Sequence, residues 1–433
     1  MLALAWLPAC ATSGPPPITG PVADPRPDAK PILILISLDG WRWDYLDQIN
    51  APHLKALAAR GIRSQGLIPA FPSKTYPNHY TIVTGLYPEH HGIIANNMLD
   101  LSIGTDRFTM TAETAKDPRW WGGEPMWATA IGQGLKASSM FWPGSDTAIG
   151  GVRPTDWLPY EHDKPNGERV NQVLKWLARP EPERPSFITM YFSDVDSAGH
   201  TAGPGAPRTL AAAEGLDGMV GRLVAGVASL GLLEQTTIMA VSDHGMSQQA
   251  PNRKIVLDDY LDLKSVDVLD WSPVLQLLPR TGSVDELYRR LYGKHPALQV
   301  YKKEGLPPEL HYSNNRRIAP ILAIADDGWQ ITTNDRLKET TIERRAGGEH
   351  GYDPRLPSMH GLFIAAGPRL KQGLVVGKFE NVHIYELMCR ILNLRPARND
   401  GDPAVTADWM RPSGARTSAS RSRQSVPQSI PGS

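Results

Sequence analysis

Four short runs of consecutive apolar residues constrain the fold of this chain more than any other feature of its sequence. The runs are PILILIS, SFITMYF, TTIMAVS and GLFIAAG, which begin at residues 31, 186, 236 and 361. Each is too short for a buried helix and lacks polar alternation, which is typical of a strand buried on both faces of a sheet. Segments with helical spacing of apolar residues, such as APHLKALAARG, lie between the runs. This alternation predicts an α/β fold with a mostly parallel central sheet and helices on both faces.

The composition and the apolar pattern of the sequence change in its second half. Residues 248–345 contain short mixed segments with many prolines and charges, which predicts a small α+β insertion beside the sheet. We therefore assign the main domain to residues 31–247 and 346–410. Residues 1–30 are predicted to be a leader and linker. Residues 411–433, rich in Ser, Arg and Pro, are predicted to be a disordered tail.

The N-terminal segment resembles an export signal. Leu7 to Cys10, LPAC, follow a short apolar run and resemble a bacterial lipoprotein cleavage site, at which Cys10 would carry a lipid. Pro8 and the lack of Lys or Arg before the apolar run depart from that pattern, so an unstructured leader is the alternative. We expect the protein to be exported, and to be periplasmic, lipid-anchored or secreted.

Charge balance and cysteine content exclude two broad classes of protein. Lys plus Arg (45) equals Asp plus Glu (45), so we expect no nucleic-acid polymer as a bulk partner. The two cysteines, Cys10 and Cys389, cannot build a disulfide framework. The sequence therefore favours a fold held by core burial, with a local site for a small molecule. It leaves the oligomeric state open.

Acidic residues and histidines follow three of the predicted strands at their carboxyl ends, the edge beyond which open parallel sheets bind ligands. His350, in GGEHGYDP, lies shortly before the fourth run. A single Asp there is commonly a turn residue or a helix cap, and a single His is more often structural than a ligand. Together, three carboxylates and three imidazoles are the oxygen and nitrogen donors that suit zinc, and six donors divide naturally over two ions. The candidate ligands are Asp39, Asp196, His200, Asp243, His244 and His350.

Thr75 is a candidate nucleophile in the segment FPSKTYPNHYTIVTG, which starts at Phe71. Its hydroxyl is predicted to lie at a helix N-terminus, where backbone N–H groups and the helix dipole favour an anion. A free threonine hydroxyl is a poor nucleophile, but a divalent ion lowers its pKa. With Thr75 on one of two ions, the donors would form the arrangement used for in-line phosphoryl transfer. The alternative is that Thr75 only caps the helix.

Several longer motifs occur in one order between about residues 31 and 396. They include LDGWRWDYL, FPSKTYPNHYTIVTGLYPEHHGIIANNM, GGEPMWATA, FWPGSD, SDHGM, HGYDP and MHGLFIAAGP. In content and order they resemble the nucleotide pyrophosphatase/phosphodiesterase family of the alkaline phosphatase superfamily, as a bacterial member. The resemblance implies an alkaline phosphatase-like main domain that binds two zinc ions. It implies that one ion is held by Asp39, Thr75, Asp243 and His244, and the other by Asp196, His200 and His350.

The same resemblance implies roles around the phosphate. Thr75 would attack phosphorus and form a covalent phospho-threonine intermediate, which water then hydrolyses. Asn96 would bind a phosphate oxygen through its side-chain amide, beside the backbone N–H of Thr75. A neutral donor also suits the single negative charge of a phosphodiester. Monoesterase relatives use an arginine at this point, and FPSKTYPNHY offers none.

Three tyrosines are candidates for substrate binding. The resemblance assigns Tyr76 and Tyr160 to positions where aromatic rings clamp a nucleobase, and Tyr191 is a third candidate for the same pocket. Such stacking tolerates any base, because every base has a π-face. Each tyrosine could instead pack in the core with a solvated hydroxyl.

These observations predict a two-zinc nucleotide pyrophosphatase/phosphodiesterase that releases nucleoside 5′-monophosphates. Its substrates would be small nucleotide diesters such as dinucleotides or nucleoside triphosphates. Two alternatives use the same metal site: a lysophospholipid or choline phosphodiesterase, and a phosphonate or phosphate monoester hydrolase. A third alternative, from another class, is an inactive nucleotide-binding protein.

Overall fold

The structure, a computed structural model, describes Pro16 and residues 30–339 and 347–412. The predicted leader and the predicted C-terminal tail lie outside the described residues, apart from Pro16 and the residues that border the folded region. Within the described ranges, no helix is both long enough and apolar enough to cross a membrane.

An eight-stranded sheet forms the centre of the main domain. In spatial order its strands are Leu374–Val376, Ile62–Ser64, Phe363–Ala366, Thr236–Val241, Ile32–Leu38, Phe187–Phe192, Ala137–Met140 and Asp156–Leu158. Seven strands run in one direction and Phe363–Ala366 runs against its two neighbours. All four apolar runs of the sequence form strands of this sheet, and the prediction of a mostly parallel sheet is confirmed.

Helices cover both faces of the sheet, and the central strand is therefore buried on both sides. All seven residues of Ile32–Leu38 are buried. Leu33 and Leu35 pack into one hydrophobic cluster, whereas Ile34 and Ile36 pack into another on the opposite face, as the two-residue period of a strand requires. The helices on the first face are Thr75–Thr84, Met126–Gly132 and Ile384–Leu392; those on the second are Pro52–Ala59, Asn166–Leu177 and Pro207–Ser229.

A separate four-stranded antiparallel sheet lies inside residues 248–345. Its strands, in spatial order, are Val266–Asp270, Val274–Pro279, Ile321–Ala325 and Leu298–Lys302. The helix Val284–Leu291 packs on this sheet, and both share a hydrophobic cluster of their own. We call this part the inserted sheet. The limits 248 and 345 stay a prediction.

Shorter elements complete the chain. They are the helices Tyr45–Gln48, Pro88–His91, Asp194–Ala202 and Asn334–Glu339, and the strand pairs Asn97–Met98 with Phe108–Thr109, Leu67–Ile68 with Phe379–Glu380, Ser247–Gln248 with Gly348–Glu349, and Lys254–Val256 with Gln330–Thr332.

Three neighbouring strands of the central sheet create the site. Ile32–Leu38 pairs in parallel with Phe187–Phe192 on one side and with Thr236–Val241 on the other. In this register Ser37 lies beside both Tyr191 and Val241, so the three strands end at the same level. The residues that follow each strand therefore meet at one edge of the sheet.

Candidate active site

The first group of predicted metal ligands is assembled at that edge. Nε2 of His244 lies 3.0 Å from Oδ2 of Asp243 and 3.6 Å from Oδ1 of Asp39. Thr75 Oγ1 lies 3.3 Å from the same nitrogen. The two aspartates and the histidine are almost completely buried. The structure thus brings together all four residues that were assigned to one ion.

The second predicted group lies next to the first. Asp196 and His200 are one turn apart on the helix Asp194–Ala202, with Nε2 of His200 3.4 Å from Oδ1 of Asp196. Nε2 of His350 lies 3.7 Å from the same carboxylate oxygen. The His350 ring stacks on the ring of His244, with 3.5 Å between the centroids. The two groups therefore form one continuous cluster.

The hydrogen bonds of the histidines prepare them to bind metal. Nδ1 of His200 lies 3.1 Å from the carbonyl oxygen of Gly348, and Nδ1 of His350 lies 2.9 Å from that of Ser73. When Nδ1 donates to a carbonyl, Nε2 carries the lone pair that a metal accepts. In both residues Nε2 is the atom that faces the carboxylate of Asp196.

Unpaired carboxylate oxygens also fit a metal site. Oδ1 of Asp39, Oδ1 of Asp196 and Oδ2 of Asp243 are buried, and none accepts a hydrogen bond from a described residue. A buried carboxylate oxygen that accepts no hydrogen bond is unfavourable, so a cation is the partner that this arrangement suits. Three combinations of these Asp and His residues, one of which includes His79, bring their ligand atoms within 4.8 Å of one another.

The pKa values of Asp39 and Asp243 are shifted in opposite directions, because different neighbours dominate at each carboxylate. Burial, together with the charges of Asp243 and Asp196, raises the pKa of Asp39 well above its usual value. Burial opposes ionisation of Asp243 too, but the imidazoles of His244 and His79 outweigh it and lower the pKa of Asp243 well below its usual value. Adding a divalent cation to this cluster would favour the ionised form of both carboxylates.

Thr75 occupies the first position of the helix Thr75–Thr84, and Lys74 occupies the cap position before it. The Lys74 side chain makes no capping hydrogen bond, and the Thr75 hydroxyl faces Nε2 of His244. Lys74, and not Thr75, is therefore the cap residue of this helix. The neighbouring backbone N–H, of Tyr76, donates to Oδ1 of Asn96 at 3.0 Å, which brings the Asn96 amide to the start of this helix.

A cavity of about 260 Å³ opens beside Thr75, Asp39 and Asp196. The three predicted tyrosines, Tyr76, Tyr160 and Tyr191, line it together with Phe141, Trp142 and Leu158. Tyr160 is 52% exposed at the cavity, and its ring meets those of Phe141 and Tyr191 edge-on. The aromatic wall therefore lies directly against the cluster of carboxylates and imidazoles.

Two residues of the site have contacts that the sequence did not predict. Tyr191 donates a hydrogen bond of 2.6 Å from its hydroxyl to Oδ2 of Asp39, in addition to lining the cavity. His79 joins Ser37, at 2.7 Å, to the carbonyl oxygen of Thr75, at 2.8 Å. The spacing of four residues between Thr75 and His79 on one helix is the sequence signal that could have identified His79.

Comparison with known proteins matches this chain to a family. The profile described as Type I phosphodiesterase / nucleotide pyrophosphatase matches residues 33–353. Human ectonucleotide pyrophosphatase/phosphodiesterase family member 1 is 38% identical over 383 residues, which cover 86% of this chain. The match covers only 41% of that relative, so this chain spans about two fifths of its length.

A shorter relative and a solved structure also match this chain to the same family. Human family member 5 is 36% identical over 377 residues, which cover 87% of this chain and 77% of that protein. A solved structure of murine family member 5, an inactive variant in complex with AMP, superposes with a TM-score of 0.83 at 34% identity and covers 88% of this chain and 100% of that chain. On the strength of the family profile and of these similarities along most of its length, the chain belongs to the type I phosphodiesterase/nucleotide pyrophosphatase family.

Proposed function

We propose that the protein is a two-zinc nucleotide pyrophosphatase/phosphodiesterase that releases nucleoside 5′-monophosphates through attack by Thr75. The observation that carries this proposal is the position of the Thr75 hydroxyl. It belongs to the first residue of a helix and lies 3.3 Å from His244, inside the double cluster of carboxylates and imidazoles. Membership of the family supports hydrolysis of phosphodiester or pyrophosphate bonds as the reaction class.

The clustered aspartates and histidines fit two zinc ions, because nitrogen and carboxylate oxygen donors suit this metal. Asp39, Thr75, Asp243 and His244 would hold one ion, and Asp196, His200 and His350 the other. When bound, the ions would lower the pKa of the Thr75 hydroxyl and offset the negative charge of the phosphate.

Thr75 supplies the nucleophile in the proposed reaction. Its Oγ1 forms a bond to phosphorus while the bond from phosphorus to the leaving oxygen breaks, and the leaving oxygen takes up a proton that balances the one lost by Thr75. The nucleoside 5′-phosphate is now esterified to Thr75 as the phospho-threonine intermediate. Water then attacks the same phosphorus, the bond from phosphorus to Oγ1 breaks, and Oγ1 takes up a proton that balances the one lost by the water, which releases the nucleoside 5′-monophosphate.

Asn96 positions the phosphate in this scheme. Its Oδ1 accepts the Tyr76 N–H, which leaves the two Nδ2 hydrogens to donate to a non-bridging oxygen. The backbone N–H of Thr75 at the helix start is the second donor. A neutral pair of donors stabilises the charge of a diester without adding a further cation.

The aromatic cavity carries the substrate proposal. Tyr76, Tyr160 and Tyr191 lie beside Thr75, where a base linked to the reacting phosphate could stack. The AMP in the structure of the murine relative supports a nucleotide in this pocket. We propose small nucleotide diesters, such as dinucleotides and nucleoside triphosphates, as substrates.

We propose that the protein is exported from the cytoplasm. The relatives are named as ectonucleotide enzymes, which supports action outside the cytoplasm. Attachment through a lipid on Cys10 stays a prediction, because Cys10 lies outside the described residues.

A substrate comparison tests the proposed function. Hydrolysis rates of a nucleotide diester, a phosphate monoester and a choline phosphodiester are measured in one assay, with zinc and after chelation. A zinc-dependent preference for the nucleotide diester supports the proposal. Preference for either competitor would contradict the proposed substrate but would leave the proposed metal site and the role of Thr75 unchanged. Nucleotide binding without any hydrolysis would favour a binding protein.

A further inference from the structure

Asp270 makes buried polar contacts with the active-site segments although it belongs to the inserted sheet. It ends the strand Val266–Asp270 and is 3% exposed at its side chain. Its Oδ2 forms an ion pair with Nζ of Lys74, and its Oδ1 accepts a hydrogen bond of 3.0 Å from Nδ2 of Asn97. Lys74 is 7% exposed at its side chain and donates a second hydrogen bond, of 3.0 Å, to the carbonyl oxygen of Trp271. One carboxylate thus holds two separate segments of the main domain.

These two segments are the ones that carry Thr75 and Asn96. Lys74 immediately precedes Thr75, and Asn97 immediately follows Asn96. On the other side, the Tyr76 N–H donates to Oδ1 of Asn96 at 3.0 Å. The contacts therefore close into a ring, which we call the Asp270 ring. Its members are Lys74, Thr75, Tyr76, Asn96, Asn97 and Asp270.

A closed ring fixes geometry in a way that a single contact does not. The Tyr76 to Asn96 hydrogen bond alone allows the two segments to pivot about it, whereas a second tie through Asp270 removes that freedom. Buried ion pairs contribute little reliable stability, but their directional contacts can specify one arrangement. A displacement of about 1 Å at a reacting group can lower a rate by about a hundredfold.

We propose that Asp270 is a positioning residue that sets the distance between the Thr75 nucleophile and the phosphate-binding Asn96. This inference rests on the proposed function for the roles of Thr75 and Asn96. Among the described residues, Asp270 does not line the cavity and forms no hydrogen bond or ion pair with a candidate metal ligand, so it acts through Lys74 and Asn97.

The test compares Asp270→Asn with a matched control, Asp100→Asn. Asp100 is also a buried carboxylate that joins the main domain to residues 248–345, through Arg317 at 2.7 Å and Arg316 at 2.8 Å. In the described part of the chain, Asp100 forms no hydrogen bond or ion pair with a member of the Asp270 ring. A loss caused only by weaker attachment of the inserted sheet would therefore appear in both variants.

Hydrogen exchange at the Tyr76 amide is the first readout, and it does not depend on activity. Asp270→Asn should accelerate deuterium uptake in the peptide that contains Tyr76, because the tie that holds Asn96 against this amide is lost. Asp100→Asn should leave that uptake unchanged. If Asp270→Asn does not yield folded protein, Asn97→Ala replaces it, since that change leaves the ion pair of Asp270 with Lys74 intact.

Turnover of a nucleotide diester is the second readout. Asp270→Asn should lower kcat about 10- to 100-fold while KM changes by less than about threefold, because the aromatic cavity is untouched. Equal exchange at Tyr76 in Asp270→Asn and wild type, unchanged kcat in that variant, or the same losses in Asp100→Asn would overturn the inference. A wild-type protein without diester hydrolysis would overturn the proposed function instead, and the exchange comparison would still decide whether Asp270 holds the two segments.

Discussion

Oγ1 of Thr75 lies 3.3 Å from Nε2 of His244, although the two residues are 169 positions apart in the chain. The contact joins the start of a helix on one face of the sheet to the end of the strand Thr236–Val241. It directs the threonine hydroxyl toward the carboxylates and imidazoles and away from a capping role. The proposed attack of Thr75 on phosphorus depends on this contact between Thr75 and His244.

Replacement of Thr75 tests the nucleophile. Thr75→Ala should lower kcat at least about a thousandfold, because the covalent step uses the Thr75 hydroxyl. Binding of AMP should persist, since the aromatic cavity is unchanged. Isothermal titration with AMP and steady-state assays measure the two effects. Thr84→Val, at the far end of the same helix, removes a hydroxyl that bonds only within the helix region and should keep full activity.

Removal of metal should abolish turnover and lower the thermal midpoint. A ligand that binds only the folded state stabilises it, so chelation should shift unfolding to lower temperature, and added zinc should restore both properties. Elemental analysis should find two zinc ions per chain. Asp196→Asn should reduce that number, because Asp196 faces both His200 and His350. A chelated protein with normal turnover would contradict the metal assignment.

Removal of the Tyr191 hydroxyl should weaken metal binding. The hydroxyl donates to Asp39 at 2.6 Å, and loss of a hydrogen bond to a ligand typically costs about 10- to 100-fold in metal affinity. Competition with a chromophoric chelator measures the affinity of Tyr191→Phe. Tyr160→Phe is the control, because its hydroxyl bonds to His162 and not to a candidate ligand. Equal affinities for the two variants would refute the role given to Tyr191.

Loss of the Tyr160 ring should affect nucleotide substrates selectively. Base stacking contributes about 1 to 3 kcal/mol per base, so Tyr160→Ala should raise KM for a nucleotide diester by roughly 5- to 150-fold. Hydrolysis of a small diester without a base should change far less. Parallel kinetics with the two substrates check the prediction, and equal effects on both would argue against stacking on Tyr160.

The sequence predicted four of the eight strands of the central sheet but not all of their directions. A strand buried on both faces has the same continuous apolar pattern whichever way it runs, so GLFIAAG could not reveal that Phe363–Ala366 is antiparallel to its neighbours. The strand-end rule was more informative for the site, because parallel neighbours deliver their following residues to one edge. Asp39, Asp243 and Asp196 meet there as a result.

Two contacts between residues far apart in the chain could not be predicted from the sequence. The bond from Tyr191 to Asp39 spans 152 positions, and the ion pair of Lys74 with Asp270 spans 196. No local sequence pattern indicates such a pair, since each of these residues is compatible with an ordinary strand or loop. The register of the sheet and the docking of the inserted sheet create these contacts only in the folded chain.

The most direct measurement is the mass of the Thr75 peptide after rapid acid quenching of the protein with a nucleotide diester. The account predicts a transient adduct of one nucleoside 5′-monophosphate on Thr75, which forms before steady state and disappears as substrate is exhausted. An adduct on another residue, or full turnover with no adduct on Thr75 together with full activity of Thr75→Ala, would contradict the account.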